Sequence, residues 1–174
     1  FSELTRLQAK ALCESVGYAG YIPEFENKET DFETTYAARL EHIGRFGYGI
    51  FAAAKMFRVA EQTIVPVEAA DEISLDSFVG YEEERQKVLD NTRALIEGRP
   101  AANVLLCGDA GTGKSSTVKA CANYFSDQGV RLIELRKDQL FSLSYIMGRI
   151  AGNPLKFIIF IDDLSFNKND DCFS

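Results

Sequence analysis

Gly108-Asp-Ala-Gly-Thr-Gly-Lys114-Ser115 is the stretch whose residue types and spacing could do chemistry. It fits G-x-x-x-x-G-K-[ST]. Glycines at 108, 111 and 113 admit backbone conformations with positive φ, so successive N–H groups can point into one concavity. Such a nest, continued by a helix N-terminus, attracts phosphate oxygens. Asp109, Ala110 and Thr112 belong to the same turn, and Ser116 follows it. Lys114 adds a mobile positive charge for β and γ phosphates, and the Ser115 hydroxyl is placed to join a Mg²⁺ shell. At ordinary glycine usage of about 7%, this pattern arises by chance in roughly 1% of chains this long. The motif is therefore specific.

A second constellation is Phe157-Ile-Ile-Phe-Ile161-Asp162-Asp163, an apolar run ending in two carboxylates. Alone it would pass for an ordinary solvated strand end. Coming after a phosphate loop, it gains meaning, because parallel-sheet proteins gather ligands at the C-terminal ends of their strands. The expectation is that Asp162 holds Mg²⁺ opposite Ser115 and that Asp163 polarises an attacking water. Lys114, Asp162 and Asp163 are then the catalytic set, with Ser115 and Asp162 on the metal.

The surrounding pattern must position these groups. Asn103–Cys107 reads as a short buried strand entering the loop. Ser115 to Asp127 reads as a helix closed by Gly129, and Val130 to Leu135 as a second strand. A helix capped by Asp138 runs to about Ala151, and Lys156 to Ile161 is a third strand. Apolar strands alternating with helices predict an α/β fold with a parallel sheet flanked by helices and buried on both faces. Upstream, Tyr81 to Glu97 reads as a helix with Glu82, Glu83 and Glu84 in its first turn, which suits the helix dipole. Gly98 and Pro100 stop it.

The first 70 residues read as an N-terminal helical region, set apart from a core at 71–174. Leu4, Leu7, Ala11 and Leu12 share one face of a helix over 1–16, and 18–30 is a connector. Asp31 to Arg45 is helical, with Tyr36, Leu40 and Ile43 on a stripe. Phe46, Ile50, Phe51, Ala54 and Phe57 form the apolar face of a further helix, and Ile64 to Val67 is extended.

Composition bounds the function. The 174 residues are 46% hydrophobic and 26% charged, ordinary for a globular protein. A net charge of −7 argues against a large nucleic-acid surface. No apolar stretch approaches membrane-spanning length, and no signal segment opens the chain. Cys13, Cys107, Cys121 and Cys172 match no zinc or C-x-x-C spacing, so free thiols in a reducing cytoplasm are expected. His42 is alone. Both ends look cut.

These residues carry a family resemblance. Ile73 to Phe166 resembles the front half of an AAA+ ATPase core, with Gly108–Ser115 as Walker A and Phe157–Asp163 as Walker B. Phe78, Val79, Gly80 and Tyr81 resemble the segment that lies against adenine in that superfamily. More narrowly, Gly98-Arg-Pro-Ala-Ala-Asn-Val-Leu-Leu, Gly111-Thr-Gly-Lys-Ser-Ser116 and Asp162-Asp-Leu-Ser-Phe166 are similar to a bacterial ATP-binding family of unknown function that is predicted to be AAA+-like. That match covers roughly residues 60 to 174. The resemblance implies ATP with Mg²⁺ as ligands, and a homo-oligomer in which a neighbour supplies an arginine. It also implies a further strand between the P-loop strand and the Walker B strand, followed by an arginine finger and a helical lid, none of which lies in this sequence. A gap between 103–107 and 156–161, exposing apolar sheet surface, is the consequence. Asp163 departs from the common Glu by one methylene, and a displacement near 1 Å costs about 100-fold in rate. Slow hydrolysis is thus consistent with this sequence.

Three functions compete. The first is an ATPase that couples hydrolysis to a conformational change. The second is an ATP-gated binding module with little turnover, acting on an unidentified protein partner. The third is a P-loop kinase, whose second substrate would need basic residues such as Arg131, Arg136 and Lys137.

Overall fold

The computed structural model describes residues 15–17, 19, 31–67 and 73–162. Two compact units divide between His42 and Ile43. The first contains helix α1, Phe32–Glu41, which begins where Asp31 caps it: the carboxylate accepts the Thr34 amide at 3.0 Å and the Thr34 hydroxyl at 2.6 Å. None of its residues is buried, and Tyr36 and Leu40 of the expected stripe are exposed. The helix expected over 1–16 and the connector over 18–30 lie, but for a few positions, outside the described residues.

The second unit is built on a four-stranded sheet. Its strands are β1 (Met56–Ala60), β2 (Thr63–Pro66), β3 (Val130–Arg136) and β4 (Lys156–Asp162), in the order β2-β1-β3-β4. β1, β3 and β4 are parallel, while β2 runs antiparallel to β1, so the sheet is mixed rather than wholly parallel. Pro66 has no amide to give a ladder, and it sits on the edge strand that can tolerate this. The helices are α2 (Ile43–Phe46), α3 (Ile50–Ala53), α4 (Glu82–Ile96), α5 (Lys114–Tyr124) and α6 (Leu143–Ile150). The chain is thus a mixed α/β protein with an open sheet flanked by helices. Among the described residues, no helix is long and apolar enough to cross a membrane.

The pleat sorts the core into two faces. Phe57, Val59, Ile133 and Leu135 join Phe51 of α3 and Ile146 of α6 on one face, with Phe157, Ile159 and Ile161 packed against them. Met56 and Leu132 meet Ala122 and Val118 of α5 on the other, with Ile158 and Phe160. Behind α5, Cys121, Phe125 and Val130 pack against Val88, Leu89 and Ile96. The unbroken apolar run at 157–161 packs side chains on both faces yet stays half-buried at the sheet edge, whereas β3 is buried along most of its length although Arg131 and Glu134 interrupt its apolar run. Burial pushes the Cys121 thiol up, against a weaker pull from its Thr92 contact.

Two expectations are corrected. The apolar stripe from Phe46 to Phe57 is not one helix: α2 and α3 are single short turns, and Phe57 lies in β1. The sheet unit therefore reaches back to residue 43, into the stretch read as N-terminal helical region. A short apolar run has the same composition in a strand and in a buried helix, and only the partners at Ile133 and Pro66 decide. Asn103–Cys107 is likewise not a buried strand. It carries no regular structure, and Val104 is 51% and Leu105 74% exposed. β4 stands at the sheet edge without a ladder to it. A strand is made by its neighbour. Just before this segment, Ala102 is fixed by the Asn91 side chain of α4, which takes both its N–H and its C=O, at 2.9 and 2.8 Å.

The loop at Gly129 shows how closely the backbones pass. A Cβ there would lie 2.1 Å from the Gly44 carbonyl oxygen, and φ is +90°. The next residues are held by Arg131, which is 6% exposed. Its guanidinium donates to the carbonyls of Phe51 (2.8 Å), Ser126 (2.9 Å) and Val130 (2.9 Å), tying α3 and the turn after α5 to β3. Burial pulls its pKa down, and the Asp127 charge opposes this. Arg131→Met keeps the stem and strands those acceptors. A loss of about 2–3 kcal/mol is expected in denaturant unfolding.

Candidate functional site

Sheet and helix lengths bring one end of the molecule to a rim where β3 and β4 finish and α5 begins. Helix α5 starts at Lys114, with Gly113 as its N-cap in the left-handed region (φ 79°, ψ 18°) and its amides toward the loop. An L side chain at 113 is strained by that φ, and its Cβ would press on the Phe78 ring at 3.4 Å. Gly108 and Gly111 also have positive φ, +150° and +80°. The first turn of a helix leaves its N–H groups unpaired and carries the positive end of the dipole.

Within the loop, the Lys114 ammonium donates to the carbonyls of Gly108 (2.9 Å) and Asp109 (2.7 Å), and the Thr112 hydroxyl donates to Asp109 O at 2.9 Å. Lys114 thus folds over the concavity of its own loop. Asp109 and Ala110 are exposed, and Ser116 is half-buried in the first turn of α5.

The Ser115 hydroxyl donates to Asp162 Oδ1 at 2.7 Å, across 47 residues of sequence. A charge-assisted bond of this length joins the start of α5 to the end of β4. The two predicted metal-side residues therefore meet, while Asp163 lies outside the described residues.

The segment 73–81 comes to the same loop. Ile73 O accepts from Asn123 of α5 at 3.4 Å. The Phe78 ring sits against Gly113, with the Arg85 guanidinium 5.4 Å from its centroid. Arg85 also donates to Gly80 O, and the Gly80 amide to Glu82 at 3.1 Å. Tyr81 takes a left-handed conformation (φ 59°), and Val79 is 96% exposed. Of the four predicted residues, Phe78 packs on the loop and Val79 stands beside it in solvent. Sequence reasoning missed Arg85, whose signal is only its place one turn into α4, behind Gly80.

The basic candidates separate. Arg131 is consumed in its carbonyl clamp at the opposite end of β3, and so cannot serve a second substrate. Arg136 pairs in register with Asp162 on the rim.

Fold and site together define an α/β protein that carries a glycine-rich loop and helix N-terminus at the C-terminal rim of its parallel strands. The chain belongs to a family described as a protein of unknown function, DUF815, which matches residues 51–173. The match opens at α3 and takes in the whole sheet. No curated protein and no solved structure matches the chain.

Proposed function

We propose that this chain binds ATP with Mg²⁺ on Gly108–Ser115, and that the protein is a Mg²⁺-dependent ATPase of AAA+ type that couples hydrolysis to a conformational change in the cytoplasm. The single observation that carries the reading is the convergence of Ser115 on Asp162 at the mouth of the loop, at 2.7 Å. A hydroxyl and a carboxylate are hard oxygen donors, and Mg²⁺ takes one or two such groups together with substrate phosphates. The donor set fits the ion.

Each residue then has a task. The amides of the loop and of the first turn of α5 grip phosphate oxygens. Lys114 exchanges its two carbonyl acceptors for charged phosphate oxygens, which accept more strongly. Ser115 and Asp162 hold the Mg²⁺, which when bound neutralises charge developing on the phosphates. Phe78, backed by Arg85, offers an apolar wall beside Gly113 for the base, with Val79, Gly80 and Tyr81 around it. Asp163 orients the attacking water, and a neighbouring copy supplies an arginine.

Full-length protein is expected to release phosphate from ATP only with Mg²⁺, and Asp163→Asn is expected to abolish the release. Release no greater than background from assembled wild type would sink the ATPase reading. Asp163, shorter than Glu, favours a second reading, an ATP-gated binding module. That reading requires a partner that distinguishes the ATP and ADP forms, since a ligand shifts only what it binds unequally.

A further inference from the structure

We propose that Arg136 is the residue that reads the terminal phosphate, so that this site takes a nucleoside triphosphate in preference to the diphosphate, and that Asp138 holds the guanidinium aside until the triphosphate arrives. The proposal rests on the phosphate-site reading above.

Its placement follows from the pleat. Along β3, Leu132 faces α5 beside Ala122, and two residues on, Glu134 faces α5 and pairs with Lys119 at 3.3 Å. Helix α5 runs against β3, so each step of two up the strand meets a residue nearer the start of the helix. The next residue of that face is Arg136, level with the first turn of α5 that carries Ser115. In β4 the register partner of Arg136 is Asp162, on the same face and already bonded to Ser115. Neighbouring strands lie about 4.8 Å apart. A long cation therefore stands one strand away from the hydroxyl and carboxylate at the loop mouth.

Its present partner is local. Arg136 Nε and Nη2 bind Asp138 Oδ1 and Oδ2, each at 3.0 Å, and both side chains are more than two-thirds exposed. This fork holds the Asp138 carboxyl below the usual carboxylate range. An exposed ion pair contributes little to stability, so a phosphate can displace it with small loss. The same planar fork donates to two phosphate oxygens as readily as to two carboxylate oxygens. The backbone at Arg136 does not need to move, since its amide is fixed to Gln139 Oε1 at 3.1 Å and Gln139 is anchored to Val59 O at 3.0 Å.

The test is direct titration of the full chain with Mg·ATP and Mg·ADP, for wild type, Arg136→Ala, Arg136→Lys and Asp138→Ala. Wild type is expected to prefer ATP. Arg136→Ala should lose about tenfold or more in ATP affinity with ADP affinity unchanged. Arg136→Lys should fall between, because it keeps the charge and loses the fork. Asp138→Ala should bind ATP more tightly than wild type. All of these residues are exposed, so unliganded melting temperatures should stay close to wild type. A wild type that binds both nucleotides, with an unchanged ATP-to-ADP ratio in Arg136→Ala, overturns this proposal alone. A wild type that binds neither overturns the phosphate-site reading and this proposal with it.

Discussion

Lys114→Ala should abolish the stabilisation of this chain by Mg·ATP. A ligand at one hundred times its Kd stabilises the folded state by about 2.7 kcal/mol, which for a domain of this size is a rise on the order of 5–10 °C. In the unliganded protein the Lys114 ammonium is satisfied by Gly108 O and Asp109 O. These carbonyls are exposed and can turn to water, so its removal costs the fold little. Bound to nucleotide, the same ammonium faces phosphate charge, where its loss is large. The variant should therefore melt near the wild-type temperature without nucleotide and fail to rise with it. An equal rise in both proteins would remove Lys114 from the site, and no rise in either would remove the phosphate reading from this chain.

Phe57→Ala should destabilise the chain by about 3–5 kcal/mol, the range for emptying a buried phenyl site. Phe57 is fully buried, with its ring 5.0 Å from Phe51 and edge-on at 68°. Phe51 in turn meets Phe157 of β4 at 4.9 Å and 74°. The truncation opens the middle of the core face that joins β1, α3 and β4, and the side chains around it cannot all close in. A fall in melting temperature of more than about 10 °C is expected. Since whole-domain stability is only about 5–15 kcal/mol, Phe57→Leu serves as the milder companion, with a loss under about 1.5 kcal/mol. A loss below about 1 kcal/mol for the alanine variant would put residue 57 outside the core.

The site was more legible than the sheet around it. The glycine, lysine and serine spacing of 108–115 is local, and a loop of this kind is formed by the residues it contains. The run to Asp162 was readable because five apolar residues in a row suit a strand that packs side chains on both faces of a sheet. The helices at 82–96 and 114–124 and the strands at 130–136 and 156–162 follow from runs bounded by Gly98, Gly113, Gly129 and Gly152, and their ends agree closely with the expected ones. Asn103–Cys107 misled because apolar character names a segment that wants burial and says nothing of whether a neighbour is there to pair with it. Arg131 misled in the other direction. The kinase alternative set it beside a second substrate, yet backbone carbonyls of residues as distant in sequence as Phe46 and Phe51 accept from its guanidinium.

Sequence alone determined the α/β character, the glycine-rich loop opening a helix, and the pair Ser115 and Asp162 as candidates for one ion. All are set by spacing within a few residues or by runs of one chemical type. Tertiary structure alone decided that β1 and its hairpin partner β2 complete the sheet. It also decided that Phe78 is held on Gly113 by Arg85, and that Arg136 stands next to Asp162. Each of these depends on which strand lies beside which and on the two-residue period of the pleat. One residue of register shift in β3 would have turned Arg136 away from the loop and left its local sequence unchanged.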